Sequence, residues 1–297
     1  MFAYYERGIA HDAVIFAGDD YGEGGNDELV YLSDFGFEKV DNYLDFPKIM
    51  RKYTEESVMK IVIIGSGMMG SAMAVPALDN GHTVTLVGTP LDTEIIDGLK
   101  QSNYHKTLKR ELKGDISFKQ FEEIKGNIPE CDILICGVSS FGVEWFAENV
   151  IPALKSGQRV LAITKGLHEN ADGTLSPFPI WFSSLRPDIS FNAVGGPCIS
   201  FELADRIHTE VAVCGTDKDI LNELRAALKT EYYHISVTDD IAGIETAVAL
   251  KNAYAMAVSL AIGAYTKNDP SLPEKYNAQA GLFSACGRKS YRLHKEL

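Results

Sequence analysis

The chain has 297 residues, of which 45% are hydrophobic and 23% are charged. This composition is typical of globular proteins, and the length is sufficient for about two domains. The 41 acidic residues outnumber the 28 basic residues, which gives a net charge of −13. A negative surface repels phosphate groups, so we expect neither nucleic acid nor an anionic membrane among its partners.

The cysteines and the first residues of the chain bear on its compartment. The five cysteines are Cys131, Cys136, Cys198, Cys214 and Cys286. None of them shows C-x-x-C spacing, and their number is odd, which predicts reduced thiols rather than a disulfide or metal framework. The N-terminal residues lack the basic and apolar stretches of a signal peptide. We therefore expect a cytoplasmic protein.

Residues 1–58 form an acidic segment, with thirteen acidic and five basic residues. A predicted strand over residues 11–20 ends in Asp19 and Asp20, and a glycine-rich loop then leads to Asp27. Carboxylate oxygens suit Mg²⁺, but an acidic solvated loop with turn chemistry explains the same residues. We leave both interpretations open and assign no residue as a metal ligand.

The motif GDDYGEGGNDELVY in this segment resembles the last metal-binding motif of haloacid-dehalogenase-type phosphatases. That family carries its nucleophilic aspartate in a D-x-D motif far upstream, and no such motif precedes the segment here. The resemblance covers only about residues 10–50 and therefore implies a phosphatase-like remnant. A linker over residues 51–57 then leads to a second domain, which we expect to span residues 59–238.

The second domain begins with a β-branched run, 61–64, followed by Gly65-Ser-Gly67-Met-Met-Gly70 and a helix-compatible segment. This is the G-x-G-x-x-G pattern in the strand–loop–helix context that it requires. The first glycine makes the tight turn, the second lets a pyrophosphate approach the backbone, and the third lets the helix pack on the strand. The helix N-terminus offers free N–H groups to the phosphates. The sequence therefore predicts a dinucleotide site.

Strands and helices alternate after this loop. The runs at 82–87, 132–138, 159–164, 189–196, 210–215 and 232–238 predict strands, and those at 141–154 and 217–229 predict helices. Several of the strand runs are almost continuously apolar, as strands buried on both faces are. We predict an α/β fold with a Rossmann-like doubly wound parallel sheet. Residues 239–297 should begin an all-helical substrate domain.

The second strand ends at Gly88-Thr89-Pro90, where many NAD enzymes place an acid for the ribose 2′-hydroxyl. Asp92 comes two residues too late for that position. We therefore expect no acid placed to repel a 2′-phosphate and no arginine placed to bind one. The sequence permits NADP and does not demand it.

A long apolar helix is predicted over residues 243–263, with Asp239 or Asp240 as its N-cap. Lys251 is the single charged residue from position 246 to 263. Its helical neighbours are apolar or aromatic: Ala247, Val248, Tyr254 and Ala255. A lysine in such surroundings loses hydration and becomes a candidate for proton transfer. The alternative is a lysine whose ammonium group reaches the surface.

Two loops after predicted strands carry further polar groups. Lys165 stands at the C-terminal end of a buried strand, where open α/β sheets bind ligands. The alternative is an exposed loop lysine. Gly196-Pro197 fixes a bend after a later strand, and Ser200 beyond it either faces the nicotinamide or caps the next helix.

Taken together, four motifs resemble the NAD(P)-dependent glycerol-3-phosphate dehydrogenases in order and spacing over about residues 59–290. They are G-x-G-x-x-G-x-A at 65–72, T-K-G at 164–166, G-P-x-x-x-x-E at 196–202 and L-K-N at 250–252. The resemblance implies reversible hydride transfer between NAD or NADP and dihydroxyacetone phosphate, giving sn-glycerol 3-phosphate. It is also compatible with a homodimer.

The resemblance assigns roles residue by residue. It implies cofactor contacts from Gly65, Gly67, Met68, Met69, Gly70, Thr89, Ser139, Lys165, Gly196 and Ser200. It implies that Lys165, Gly196, Lys251 and Asn252 hold the substrate. Lys251 would be the acid/base at the C2 oxygen, with Lys165 as the second catalytic residue, because two cations suit a reducible ketone that carries a phosphate.

The chain departs from the family pattern in several places. Cys198 stands where the family has Ser or Thr, Ser200 replaces Ala, and residues 264–276 replace a Gly-rich stretch. The family's later G-D-L-x-x-T segment and its Arg-Asn pair, which clamp the substrate phosphate, do not occur. A dinucleotide-binding remnant with little or no turnover is therefore the alternative function.

Overall fold

The computed structural model describes residues 14–33, 35–42, 58–125, 128 and 130–266, with side chains up to residue 260. The chain divides into two compact units, Met1–Ser57 and Val58–Leu297. Cys286, the linker over residues 51–57 and the segment 267–276 lie outside the described residues.

The first unit contains a short parallel strand pair joined through one helical turn. Its elements are β1 (Ile15–Gly18), α1 (Glu28–Tyr31) and β2 (Gly36–Lys39), with β1 parallel to β2. The carboxylates of its loop bind backbone groups: Asn26 N donates to Asp20 Oδ2 at 2.9 Å, and Asp20 N donates to Asp27 Oδ2 at 3.3 Å. These bonds favour turn chemistry as the role of both aspartates. The described residues hold no group of three or more His, Cys, Asp or Glu that could bind a metal.

The second unit is built on one large sheet. Its strands are β3 (Lys60–Ile64), β4 (Thr83–Gly88), β7 (Ile116–Gln120), β8 (Ile133–Cys136), β9 (Arg159–Ala162), β12 (Ser190–Gly195), β13 (Thr209–Cys214) and β14 (Tyr233–Thr238). Two small hairpins lie outside it: β5 (Tyr104–His105) with β6 (Arg110–Glu111), and β10 (Leu167–Glu169) with β11 (Leu175–Pro177).

The large sheet has the strand order β14-β13-β12-β9-β8-β3-β4-β7. Six of these strands, from β7 to β12, are parallel and follow the order of a doubly wound dinucleotide-binding sheet. The predicted α/β doubly wound fold is therefore confirmed. The one departure from a wholly parallel sheet is β13, which runs antiparallel to β12 and carries β14 parallel to itself.

The helices of this unit are α2 (Met68–Asp79), α3 (Thr93–Ser102), α4 (Val143–Asn149), α5 (Phe178–Leu185), α6 (Ser200–Ala204), α7 (Lys218–Leu228) and α8 (Ile241–Thr266). The prediction of one helix over residues 141–154 is wrong. Gly142 is the N-cap of α4, and the chain beyond Asn149 tightens into a 3₁₀ turn that contains Pro152, which has no N–H to continue the helix. No described helix has both the length and the hydropathy needed to cross a membrane.

Alternation along the strands gives the sheet its two cores. In β3, Ile61 and Ile63 join the cluster under α2, whereas Val62 and Ile64 join the cluster on the other face with Phe146 of α4. All four side chains are at most 2% exposed. A parallel sheet covered on both faces holds its strands rigidly, so the C-terminal ends of β3 and β8 form a fixed edge.

Candidate active site

The three glycines after β3 have three different surroundings. Gly65 has φ +108°, and a Cβ there would lie 2.5 Å from the carbonyl carbon of Gly137. A Cβ on Gly70 would lie 2.0 Å from the carbonyl oxygen of Gly65, whereas a Cβ on Gly67 would meet no atom within 4 Å. Two glycines therefore serve close packing, and the third leaves open space beside the backbone, where a phosphate can approach.

Ser66, between the first two glycines, is fixed from three sides. Its carbonyl oxygen accepts hydrogen bonds from His105 Nε2 at 2.9 Å and from Ser71 Oγ at 3.1 Å. Its N–H donates to Asp92 Oδ2 at 3.2 Å. The loop thus has a defined backbone orientation before any ligand binds.

The expectation that Asp92 comes too late to act at the end of the second strand is wrong, because its carboxylate reaches back to Thr89 and to the glycine loop. Its Oδ2 accepts from Thr89 N at 2.9 Å and Thr89 Oγ1 at 2.8 Å, in addition to Ser66 N. The turn that follows β4 brings the Asp92 carboxylate back to the end of that strand, although Asp92 lies two positions late in the sequence. The sequence contained no signal for this position, because it depends on the geometry of the backbone turn.

A cavity of about 330 Å³ lies along this edge of the sheet. Among its lining residues are four predicted cofactor residues: Gly65, Gly67, Thr89 and Ser139. The remaining lining residues are Pro90, Leu91, Asp92, Gly137, Val138, Phe141, Gly142 and Trp145. Sequence reasoning missed these, although the apolar residues Leu91 and Phe141 shortly after two predicted strands offered a signal. In the structure Leu91 is 91% exposed and Phe141 is 96% exposed. Such exposure beside a cavity marks a ligand surface.

The two methionines of the loop point to different surroundings. Met68 is the first residue of α2 and is 39% exposed. Met69 is partly buried and packs against the core cluster under the helix. Of the two side chains, that of Met68 is therefore accessible to a ligand, and that of Met69 contributes to core packing.

Lys165 lies in the loop between β9 and β10. Thr164, the residue before it, donates to the carbonyl oxygen of Val138 at 2.6 Å, and Val138 lines the cavity. Burial, and then the charge of Lys251, lower the pKa of Lys165 below its usual value. The structure therefore places both predicted catalytic lysines within electrostatic reach of each other.

Cys198 completes this lysine cluster. Burial raises the pKa of its thiol to about 11, and the charges of Lys165 and Lys251 oppose the rise. The thiol is therefore protonated near neutral pH and adds a small, weakly polar group within electrostatic reach of both lysines.

The expectation that Lys251 is enclosed by apolar neighbours is wrong. Of the four side chains expected around it, Val248 is buried and Tyr254 is partly buried, but Ala247 and Ala255 are exposed. Lys251 itself is partly buried, and Asn252 is exposed. The predicted N-cap of this helix, α8, is confirmed as Asp240, whose Oδ1 accepts from Gly243 N at 2.8 Å.

The loop after β12 is explained largely by packing. A Cβ on Gly195 would lie 2.4 Å from Ile244 of α8, and one on Gly196, with φ +149°, would lie 3.0 Å from the carbonyl oxygen of Glu210. Ser200 begins α6, whose N-cap is Ile199 without a side-chain cap bond, so the alternative in which Ser200 caps this helix is wrong. The cofactor and substrate roles of Gly196, Ser200 and Asn252 stay predictions.

Comparison with known proteins identifies the sequence family. The model of the NAD-dependent glycerol-3-phosphate dehydrogenase N-terminus matches residues 60–221. The chain is 34% identical over 204 residues to an NADP(+)-dependent glycerol-3-phosphate dehydrogenase of Archaeoglobus fulgidus, covering 68% of this chain and 60% of the relative. It is 27% identical over 240 residues to a glycerol-3-phosphate dehydrogenase [NAD(P)+] of Mesoplasma florum, covering 80% of this chain and 69% of the relative. The chain spans 46% of a similar protein from Psychrobacter arcticus, about half its length.

Solved structures show the same fold. Glycerol-3-phosphate dehydrogenase from Coxiella burnetii superposes with a TM-score of 0.68 at 19% identity, covering 79% of this chain and 68% of that one. A structure from Dunaliella salina superposes with a TM-score of 0.66 at 16% identity, covering 99% of this chain and 53% of that one. Through residues 60–221, the chain belongs to the NAD-dependent glycerol-3-phosphate dehydrogenase family.

Proposed function

We propose that this chain binds NAD or NADP at the loop Gly65–Gly70 and catalyses reversible hydride transfer with dihydroxyacetone phosphate, giving sn-glycerol 3-phosphate. The observation that carries the proposal is the open space at Gly67, at the C-terminal end of β3, next to a cavity of about 330 Å³. This edge is the point at which the strand order reverses, where doubly wound sheets bind their ligands.

The residues present fit a dinucleotide. The N-terminus of the twelve-residue helix α2 directs backbone N–H groups toward the loop, and its dipole favours an anion there. Thr89 and Ser139 add hydroxyl groups along the cavity, and Leu91 with Phe141 adds apolar surface for a flat ring. The nicotinamide supplies the hydride when it is bound, and the protein supplies position and charge.

The lysine pair fits a ketone that carries a phosphate. Burial, and then the charge of Lys251, lower the pKa of Lys165, so the two ammonium groups repel each other in the protein alone. A phosphate monoester carries about −1.5 to −2 charge at pH 7 and offsets this repulsion when it binds beside Lys165. We propose that Lys251 donates the proton to the C2 oxygen and that Lys165 offsets phosphate charge, with Asn252 and Gly196 holding the substrate.

A second candidate function is dinucleotide binding with little or no turnover. The exposure of the lysine end favours it: Asn252 is exposed, and Met256 of the same helix is 62% exposed. A polar contact open to water is weaker than one in a closed site, so substrate affinity falls before dinucleotide affinity does.

Two measurements on the full 297-residue chain test these proposals. Calorimetric titration with NADH and with NADPH measures dinucleotide binding, and NADH or NADPH oxidation with dihydroxyacetone phosphate measures turnover. Binding together with turnover supports the dehydrogenase. Binding without turnover supports the second candidate, and absence of binding contradicts both. A homodimer, a cytoplasmic location and a helical substrate domain over residues 239–297 stay predictions.

A further inference from the structure

His105 is a buried histidine whose two ring nitrogens both form hydrogen bonds. The residue is 1% exposed. Nδ1 accepts from Leu108 N at 3.0 Å, within its own hairpin, so the ring proton is on Nε2. Nε2 therefore donates to the carbonyl oxygen of Ser66 at 2.9 Å, across 39 residues of sequence. The ring has one local bond and one bond to the glycine loop.

The hairpin β5–β6 holds this ring in place. Leu108, within the turn, is 0% exposed and Leu112, directly after β6, is 1% exposed, so the hairpin is anchored in the core at both positions. Leu112 N donates to Asn103 O at 2.9 Å, and Arg110 Nη2 donates at 2.6 Å to Oδ2 of Asp205, the C-cap residue of α6. The donor at Nε2 is therefore presented by a rigid element rather than by a mobile loop.

The peptide unit that His105 binds is the one joining Ser66 to Gly67. A trans peptide is planar, and its C=O and N–H point in opposite directions. When His105 and Ser71 bind the Ser66 carbonyl, the Gly67 N–H points away from them, and Gly67 lines the cavity. A rotation of this peptide would instead turn the carbonyl oxygen, a partial negative charge, toward a bound pyrophosphate.

We propose that His105 is a positioning residue for dinucleotide binding: its Nε2–H fixes the Ser66–Gly67 peptide so that the Gly67 N–H faces the pyrophosphate. The inference rests on the proposed dinucleotide function and adds a residue that does not touch the ligand. The hydrogen bond from His105 strengthens dinucleotide binding by preorganisation, because the loop need not become ordered at the moment of binding.

The two ring nitrogens can be removed one at a time. Asparagine has its side-chain oxygen near the position of Nδ1, so H105N keeps an acceptor for Leu108 N–H but cannot reach Ser66. Glutamine carries an N–H donor near the position of Nε2, so H105Q keeps the bond to Ser66 but loses the local acceptor. Comparing H105N with H105Q therefore separates the effect of His105 on the position of the glycine loop from its effect on the stability of the hairpin.

The test uses the full chain and two readouts. Hydrogen exchange without ligand should show faster exchange over residues 65–70 in H105N, and faster exchange at Leu108 in H105Q. Calorimetric titration with NADH or NADPH should show about tenfold weaker binding for H105N and nearly parent affinity for H105Q, since a lost buried hydrogen bond costs roughly that factor. Thermal unfolding of both variants reports stability separately.

Three outcomes overturn the inference. Parent-like affinity and loop exchange in H105N would show that the bond to Ser66 does not position the loop. Equal losses of affinity in both variants, in proportion to lost stability, would show a purely structural histidine. A parent chain that binds neither dinucleotide would overturn the proposed function and this inference together, and that failure is visible in the parent before any variant is made.

Discussion

The glycine loop and the lysine cluster lie at the same edge of the sheet but are built differently. The loop uses main-chain groups, which the buried or partly buried side chains of His105, Ser71 and Asp92 hold in place. The lysine cluster uses the side chains themselves, and the helix that carries Lys251 becomes exposed beyond it, with Leu260 64% exposed.

This difference separates two kinds of function in one chain. A site made of fixed backbone N–H groups loses little entropy on binding and is present whenever the fold is present. A site made of two long side chains must order them and depends on how much water surrounds them. Dinucleotide binding should therefore be more robust than catalysis, and the following variants test that contrast.

The largest effects are expected when valine replaces Gly70 or Gly67, the two loop glycines whose surroundings differ most. G70V places a Cβ 2.0 Å from a backbone oxygen, so we expect it to destabilise the fold by more than about 3 kcal/mol. G67V meets open space and has an extended backbone with φ −64°, so it should fold normally but bind NADH or NADPH at least ~100-fold more weakly. Thermal unfolding and calorimetry measure the two effects. Parent affinity in G67V would place the pyrophosphate elsewhere.

At the lysine end, K251M should lower kcat by about 10²-fold, because a positioned acid/base contributes that much. Dinucleotide affinity should stay at the parent value, because Lys251 does not line the cavity. Exposed Lys229 at the end of α7 supplies the matched control, K229M. Steady-state NADH or NADPH oxidation measures turnover. Equal kcat values in the parent, K251M and K229M would show that Lys251 is not the acid/base.

The buried half of α8 gives a pH-dependent prediction. Glu245 is 1% exposed, and burial raises its pKa to about 8. The folded state keeps this proton above the unfolded pKa of about 4.3, so the stability contribution is full below about pH 4 and is lost as pH rises toward 8. E245Q should remove a slope of about 1.4 kcal/mol per pH unit in that window. Denaturant unfolding of parent and variant at pH 5 and pH 8 measures it. Parallel pH profiles would contradict a buried, protonated Glu245.

The smallest effect concerns cofactor discrimination at the loop. Among the described residues that line the cavity, Asp92 carries the one formal charge. D92N keeps an oxygen acceptor for Ser66 and Thr89 but removes the negative charge, so affinity for NADPH should rise about threefold to fivefold relative to NADH. Calorimetry with both dinucleotides measures the ratio. An unchanged ratio would place the 2′-phosphate away from this carboxylate.

Much of the fold could be predicted from local pattern. Apart from their first residues Lys60 and Arg159, the strands β3 and β9 are continuous apolar runs, as is β8, because both faces of the sheet are covered. The glycine spacing after β3 has a direct steric cause. The edge strand β7 was missed. Its residues are partly buried or exposed, so its sequence lacks the apolar run of a central strand.

The candidate site was predictable where one motif defines it and not where distant residues meet. Gly65 and Gly67 line the cavity as expected. The bonds of His105 and Asp92 to Ser66 span 39 and 26 residues and depend on turns that no local spacing reveals. The surroundings of Lys251 were misjudged because helical neighbours along one chain do not show which side of a helix is covered.

The antiparallel pairing of β13 with β12 determines the direction in which α8 runs. Because β13 and β14 run opposite to β12, the chain leaves β14 at Thr238, level with Cys214 and therefore with Ala193, below the site edge. The helix α8 then passes Gly195, where the side chains of Ile244 and Val248 leave no space for a Cβ. Ten residues of helical rise, about 15 Å, separate its first residue from Lys251. The reversed direction of β13 and β14 therefore places the start of α8 far enough from the site edge that Lys251, ten residues along the helix, reaches the edge where Lys165 lies.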